Sequence, residues 1–307
     1  MSVKEIKNGV YPTMITPYTK DNKIDYDAVL GVLDFYAKNG VDGVFAICQS
    51  SEIFFLSFEE RLELLRFIMK NAPKGMNIVA SGHTADDLDR QIYEAEAFIN
   101  EGIDAYVIIA NRFAAADEDD SVFLSRYEKF TSSLPEIGYG IYECPFPYKR
   151  LMYPETLRKC TEIAPLRFLK DTCCSLDMIA DKLKAVEGTG LKIYNANGAT
   201  LLESLKMGCA GYSGVMANFH PEIYSWLCKN YESEPEKAQK VQEFLGFASA
   251  IENQCYPINA KYNMNLCGVP MEIISRARSI DDFFSSRVME IDQMHAVVDD
   301  FKKLYNI

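Results

Sequence analysis

Asn39-Gly40-Val41-Asp42-Gly43-Val44 returns as Glu101-Gly102-Ile103-Asp104-Ala105-Tyr106 and, more loosely, as Met207-Gly208-Cys209-Ala210-Gly211-Tyr212. Each copy sets a glycine where a helix ends in the left-handed conformation, then a short link into a strand-like run. One αβ corner used three times points to a chain of βα units and a parallel sheet. On either side of these corners, strand-like runs fall at 10–15, 43–47, 77–80, 105–109, 138–142, 166–170, 191–195 and 211–215. Between them the period becomes helical: Val29, Val32, Leu33 and Tyr36 share one face, and Leu88, Ile92, Ala95 and Ile99 another. Ser57 with Glu60 and Thr84 with Asp87 have capping-box spacing, and Pro154 suits the first turn of a helix leading toward Cys160.

Eight such units fit an α/β fold of the closed (β/α)8 TIM-barrel type, whose usual size is about 250 residues. The barrel is expected over residues 1–220, with a C-terminal helical extension at 221–307 that has helical patterning at 234–251 and 280–305. The competing architecture is an open doubly wound sheet. Its nucleotide-binding version loses support because Thr16-Pro17-Tyr18, not a glycine-rich loop, follows the first strand.

Composition narrows the function. The chain has 307 residues, 48% of them hydrophobic and 25% charged, as in an ordinary globular protein. A formal charge of −12 argues against a nucleic-acid-binding face. The N-terminal segment lacks the apolar core of a signal peptide, and no run approaches the roughly 20 apolar residues of a membrane span, so a cytoplasmic enzyme is expected. Nine scattered cysteines without a C-x-x-C pair read as reduced thiols, with neither a disulfide framework nor a zinc ribbon.

In a closed barrel, chemistry gathers at the carboxyl ends of the strands. Those positions hold Thr16 and Pro17, then Cys48-Gln49-Ser50-Ser51-Glu52, Tyr142, Lys170, and Ser213-Gly214. Lys170 ends the apolar run Leu166-Arg167-Phe168-Leu169, where an amine is either paired, with Asp171 or Glu52, or desolvated. Desolvation favours the neutral amine that attacks carbonyls. Imine formation also needs a proton shuttle and donors for a charged substrate group, which Tyr142 and Gln49-Ser50-Ser51 could supply. Each has a plainer reading. Tyr142 is one of 18 tyrosines, and the Gln-Ser-Ser turn could cap a helix. Cys48, Cys144 and Cys173 also fall near strand ends, but small buried hydrophobes explain them more simply than a metal, and none is expected. His83, near the third strand's end, reads as a polar rim residue.

These residues resemble the dihydrodipicolinate synthase and N-acetylneuraminate lyase family of class I, Schiff-base, pyruvate-dependent aldolases. Thr13-Met14-Ile15-Thr16-Pro17 is similar to the family's first-strand ending in T-P. Cys48-Gln49-Ser50-Ser51-Glu52 stands where the family has G-[ST]-T-G-E, and Tyr142-Glu143-Cys144-Pro145 where it has Y-N-x-P. Phe168-Leu169-Lys170-Asp171 stands where it has [GI]-x-K-[ED], and Gly208, Gly211 and Ala217-Asn218 continue the register. The resemblance implies a (β/α)8 barrel with a C-terminal helical segment, usually a homotetramer. It also implies Lys170 as the Schiff-base lysine, Tyr142 as proton relay, and Gln49 with Ser50 as holders of a 2-oxo-acid carboxylate, without a cofactor beyond the covalent imine.

The departures bear on substrate. Cys48 and Ser51 replace family glycines and Gln49 a hydroxyl residue. The synthases' second tyrosine, contributed by a neighbouring subunit, falls at Asn111-Arg112-Phe113-Ala114, where Phe113 has no hydroxyl. Their arginine after Y-N-x-P falls at Phe146-Pro147-Tyr148, with Lys149 and Arg150 as substitutes, and Asn195-Ala196-Asn197-Gly198-Ala199 lacks the acidic pair of the sialate lyases. The sequence therefore reads as a lyase or synthase joining or cleaving a carbon–carbon bond between pyruvate, or another 2-oxo acid, and a non-standard aldehyde. Thr16, Gln49, Ser50, Ser51, Ser213 and Gly214 are its candidate substrate-binding residues, with no nucleic-acid or membrane partner and a homo-oligomer expected. The alternative is a non-catalytic or regulatory 2-oxo-acid binder on the same barrel.

Overall fold

Every strand in the structure, a computed structural model that describes residues 3–252 and 254–307, runs parallel to its neighbours. The strands are β1 (Gly9–Val10), β2 (Gly43–Phe45), β3 (Asn77–Ala80), β4 (Ala105–Ile109), β5 (Gly138–Tyr142), β6 (Leu166–Asp171), β7 (Lys192–Asn195) and β8 (Gly211–Tyr212). Helices α1 (Tyr26–Lys38), α2 (Phe58–Asn71), α3 (Leu88–Asn100), α4 (Asp120–Ser132), α5 (Pro154–Ile163), α6 (Leu176–Ala185), α7 (Leu201–Met207) and α8 (Pro221–Asn230) alternate with them. Then follow α9 (Pro235–Ala248), α10 (Ile258–Leu266) and α11 (Ser285–Tyr305).

The order β1-β8-β7-β6-β5-β4-β3-β2 is closed by a parallel bridge between Thr13 and Phe45, which excludes the open sheet. Phe45 N–H donates to Pro12 O at 2.9 Å and Met14 N–H to Phe45 O at 3.0 Å, carrying β1 past its regular end. The first strand is shorter than its apolar run because Pro12 has no N–H to give the ladder. The glycines of the repeated corner, Gly40, Gly102 and Gly208, take φ of 73°, 87° and 112°, the left-handed stop read from the sequence.

Local signals behave in two ways. Ser57 and Glu60 form a reciprocal capping box at α2, and Pro154 occupies the first turn of α5. Thr84 does not cap α3. Asp87 does so instead, accepting from Arg90 N–H at 2.8 Å, while the Thr84 hydroxyl receives Arg61. A carboxylate is a better acceptor for first-turn amides than a threonine hydroxyl.

The barrel interior is an aromatic plug. Phe168 stacks on Tyr194 at 4.6 Å between ring centroids, Tyr11 meets both rings, and Phe45 lies edge-on to Phe168 and Tyr142. Gly43 makes room for it, since a Cβ there would stand 2.2 Å from Tyr11 Cε1. His83 is not at the rim: it is fully buried, its ring bonded to Tyr106 Oη at 2.8 Å and to Ile109 N–H at 3.1 Å. Burial pushes its pKa down to about 3, so it is a neutral packing residue.

Candidate active site

Alternation along β6 decides what each side chain meets. Phe168 points into the plug, and Lys170, two residues on, points the same way at the barrel's C-terminal end. Lys170 is 4% exposed, and its Nζ lies over the Tyr142 ring, 4.1 Å from the centroid. Among the described residues no carboxylate lies within ion-pairing distance of it. Both candidate partners are engaged elsewhere. Asp171 points outward to Lys182 of α6, which also binds Glu143 at 2.6 Å, and Glu52 binds Lys261 of α10 at 2.8 Å. Burial without a counter-ion pulls the Lys170 pKa below its ordinary value, toward the neutral amine.

Lys170 opens into a cavity of about 850 Å³ that Gln49, Ser50, Tyr142 and Gly214 also line. The Tyr142 hydroxyl donates to Gln49 Oε1 at 3.2 Å, and the Cys144 thiol approaches the same oxygen at 3.4 Å. Burial holds the Tyr142 phenol well above its ordinary pKa, so it carries its proton at neutral pH. At Gly214 a Cβ would meet Tyr212 Oη at 2.3 Å and Ala196 O at 2.7 Å, so only glycine fits this wall.

The remaining candidates lie behind the wall. The Ser51 hydroxyl is shared between Met14 O and Ala46 O at 2.7 and 2.8 Å and accepts from Cys48 N–H. The Thr16 hydroxyl donates to Ser51 O at 2.8 Å. Together they brace the turn that presents Gln49 and Ser50. Ser213 is fully buried beside Gly214, outside the cavity lining. Phe113 packs away from the cavity among His83, Phe123 and Phe130. Lys149 faces the cavity and donates to Thr172 O, whereas Arg150 turns to Asp120 at 2.6 Å.

The C-terminal segment supplies wall residues that the sequence reading did not reach. Glu252, Tyr256 and Arg278 line the cavity, and the Ser50 and Thr13 hydroxyls adjoin the Tyr256 phenol. Glu52, left-handed at φ 61°, clamps that segment. It accepts from Lys261 Nζ, Ser275 Oγ, Arg276 N–H and Ala277 N–H, and Arg276 reaches on to Glu60 and Asn22. The glutamate of the Cys48-Gln49-Ser50-Ser51-Glu52 turn thus fastens a strap across the barrel mouth. Motif spacing held no signal for a partner some two hundred residues away.

A desolvated lysine on the sixth strand of a closed barrel, beside a tyrosine hydroxyl and a deep cavity, is the layout of a class I aldolase-type lyase. The chain belongs to the Dihydrodipicolinate synthetase family, whose sequence pattern matches residues 7–278. A 4-hydroxy-tetrahydrodipicolinate synthase of Pseudoalteromonas atlantica is 24% identical over 263 residues, 84% of this chain and 88% of that one. Among solved structures, the dihydrodipicolinate synthase of Cyanidioschyzon merolae with lysine bound matches with a TM-score of 0.86 at 18% identity, over 96% of this chain and 99% of that one. YagE, a prophage protein of the dihydrodipicolinic acid synthase family from E. coli K12 in complex with pyruvate, matches with a TM-score of 0.84 at 19% identity, over 96% and 98%. These structural likenesses show the fold. No helix among the described residues is long and apolar enough to cross a membrane.

Proposed function

We propose that Lys170 forms an imine with pyruvate or a closely related 2-oxo acid, and that the resulting enamine joins to, or is released from, an aldehyde. The observation that carries this reading is the Lys170 amine, buried with no counter-ion among the described residues while Asp171 and Glu52 hold other lysines. The amine attacks the ketone carbon, the carbonyl oxygen leaves as water, and the iminium nitrogen then draws electrons from the neighbouring carbon. Tyr142 moves a proton at the departing oxygen, with Gln49 fixing the direction of its hydroxyl. Ser50, Gln49 and the amides of their turn hold the carboxylate, and Lys149 and Arg278 offer positive charge to the second substrate. No separate cofactor is required, because the iminium is itself the electron sink. Lys170→Ala is expected to fold and to lose both the borohydride-trapped pyruvate adduct and turnover; an adduct that persists in this variant contradicts the assignment.

One observation favours the second reading, a 2-oxo-acid binder without turnover. The Tyr142 hydroxyl ends on an amide oxygen, which is too weak a base to pass a proton onward. Pyruvate that raises the melting temperature of Lys170→Ala as much as that of the parent protein, with no covalent adduct in either, supports this reading. We also read the chain as a homo-oligomer, tetramer or dimer, a reading supported by the exposed Phe247 of α9 and Met289, Val297 and Leu304 of α11. Its nine cysteines, those of the fold core included, are free thiols, which supports a cytoplasmic setting.

A further inference from the structure

Making an enamine requires a base for the carbon next to the imine, and the cavity holds few candidates. Tyr142, its hydroxyl directed by Gln49 Oε1 at 3.2 Å, is assigned above to the departing oxygen, which leaves the carbon proton without an acceptor of its own. Among the described residues three carboxylates line the cavity: Glu52, Asp282 and Glu252. Glu52 is saturated by Lys261, Ser275 and the amides of Arg276 and Ala277. Asp282 lies exposed at the rim. Glu252 is different: it is half-buried in the cavity wall, and its carboxylate has no hydrogen-bond or ion-pair partner among the described residues. Lys170 and Glu252 also act on each other, the amine pulling the carboxyl pKa down while burial pushes it up further. A desolvated, unpartnered carboxylate near an amine-derived cation is a better proton acceptor than a solvated one.

We propose that Glu252, from the C-terminal segment, is a catalytic residue that takes the proton from the methyl carbon of the Lys170–pyruvate iminium. The C3–H bond breaks and its proton passes to the Glu252 carboxylate. The bonding pair becomes the C2=C3 double bond, and the C=N pair moves to nitrogen, leaving a neutral enamine. Returning the proton regenerates iminium and carboxylate, so the step is balanced without any co-reactant. The proposal rests on the imine reading above and adds the base that reading leaves unassigned.

The test uses the full chain with pyruvate alone in D2O. Proton NMR follows deuterium entering the methyl group, and borohydride trapping with peptide mapping reads the Lys170 adduct. Glu252→Gln is expected to keep the adduct and to slow exchange by about 100-fold or more. Exchange within about threefold of the parent, with the adduct intact, overturns the proposal, as does a parent protein that traps pyruvate yet exchanges nothing. Loss of the adduct in Glu252→Gln also overturns it, because the residue then builds the site rather than moving the proton. A parent protein that traps no pyruvate overturns the imine reading itself.

Discussion

Lys182 Nζ stands 2.5 Å from the Asp171 carboxylate, one residue along β6 from Lys170 but on its opposite face. That contact, with Glu143 2.6 Å from the same amine, forms a fully buried charge cluster between the barrel wall and α6. Its consequence is felt inside the barrel, since the acid nearest Lys170 in sequence is not available to hold Lys170 protonated.

Removing Lys182 leaves two buried carboxylates facing one another without their cation. Lys182→Met should therefore cost about 3–5 kcal/mol of stability, read as a lowered urea midpoint. A loss under about 1 kcal/mol contradicts the buried cluster.

Lys170 should show the opposite behaviour. Its folded pKa lies below the ordinary 10.5, so the unfolded chain binds more protons and stability rises with pH between the two values. Lys170→Met removes that penalty. The variant should melt higher than the parent at pH 7, and the difference should shrink as pH climbs toward 10.5 and level off above it. An equal or lower melting temperature at pH 7 argues that the amine is solvated or paired.

The clamp at the barrel mouth can be opened from its far end. Lys261→Met removes the ammonium that bridges Glu52 Oε1 and Ile274 O, at 2.8 and 2.6 Å. Trypsin cleavage after Arg276 or Arg278 should accelerate about tenfold as the strap opens more often. Unchanged cleavage shows that the Arg276 contacts to Glu60 and Asn22 hold the strap alone.

Tyr142→Phe keeps the ring against Phe45 and removes only the hydroxyl that reaches Gln49. Adduct formation, followed by quenching with borohydride at timed intervals, should slow by about 100-fold. Stability should change by about 1 kcal/mol or less. An unaltered rate means that Tyr142 positions the amine and moves no proton.

The barrel was legible because its units repeat. The glycine corners at Gly40 and Gly102, the period change at Val29–Tyr36 and the apolar runs around Phe168 are all local patterns. Lys170 and Tyr142 could be brought together from strand ends alone, since paired residues of β5 and β6 share a register. The C-terminal wall carries no such local pattern. Helix α10 has Asn259, Lys261 and Asn263 buried along with Ile258, Ala260 and Met264, so no apolar stripe marks it. Glu252, just beyond a short helical turn, follows no motif, and only the tertiary fold sets it in the cavity. Ser51 and Thr16 show the converse limit. Sequence position put them at the site, while their hydroxyls are committed to backbone carbonyls of the turn they support.

Covalent chemistry at Lys170 is decided by intact-protein mass spectrometry after incubation with pyruvate and borohydride, followed by peptide mapping. A reduced pyruvate adduct on the peptide containing Lys170, absent from Lys170→Ala, is the predicted result. An unmodified protein with pyruvate and with a panel of other 2-oxo acids, or an adduct on a different lysine, contradicts it.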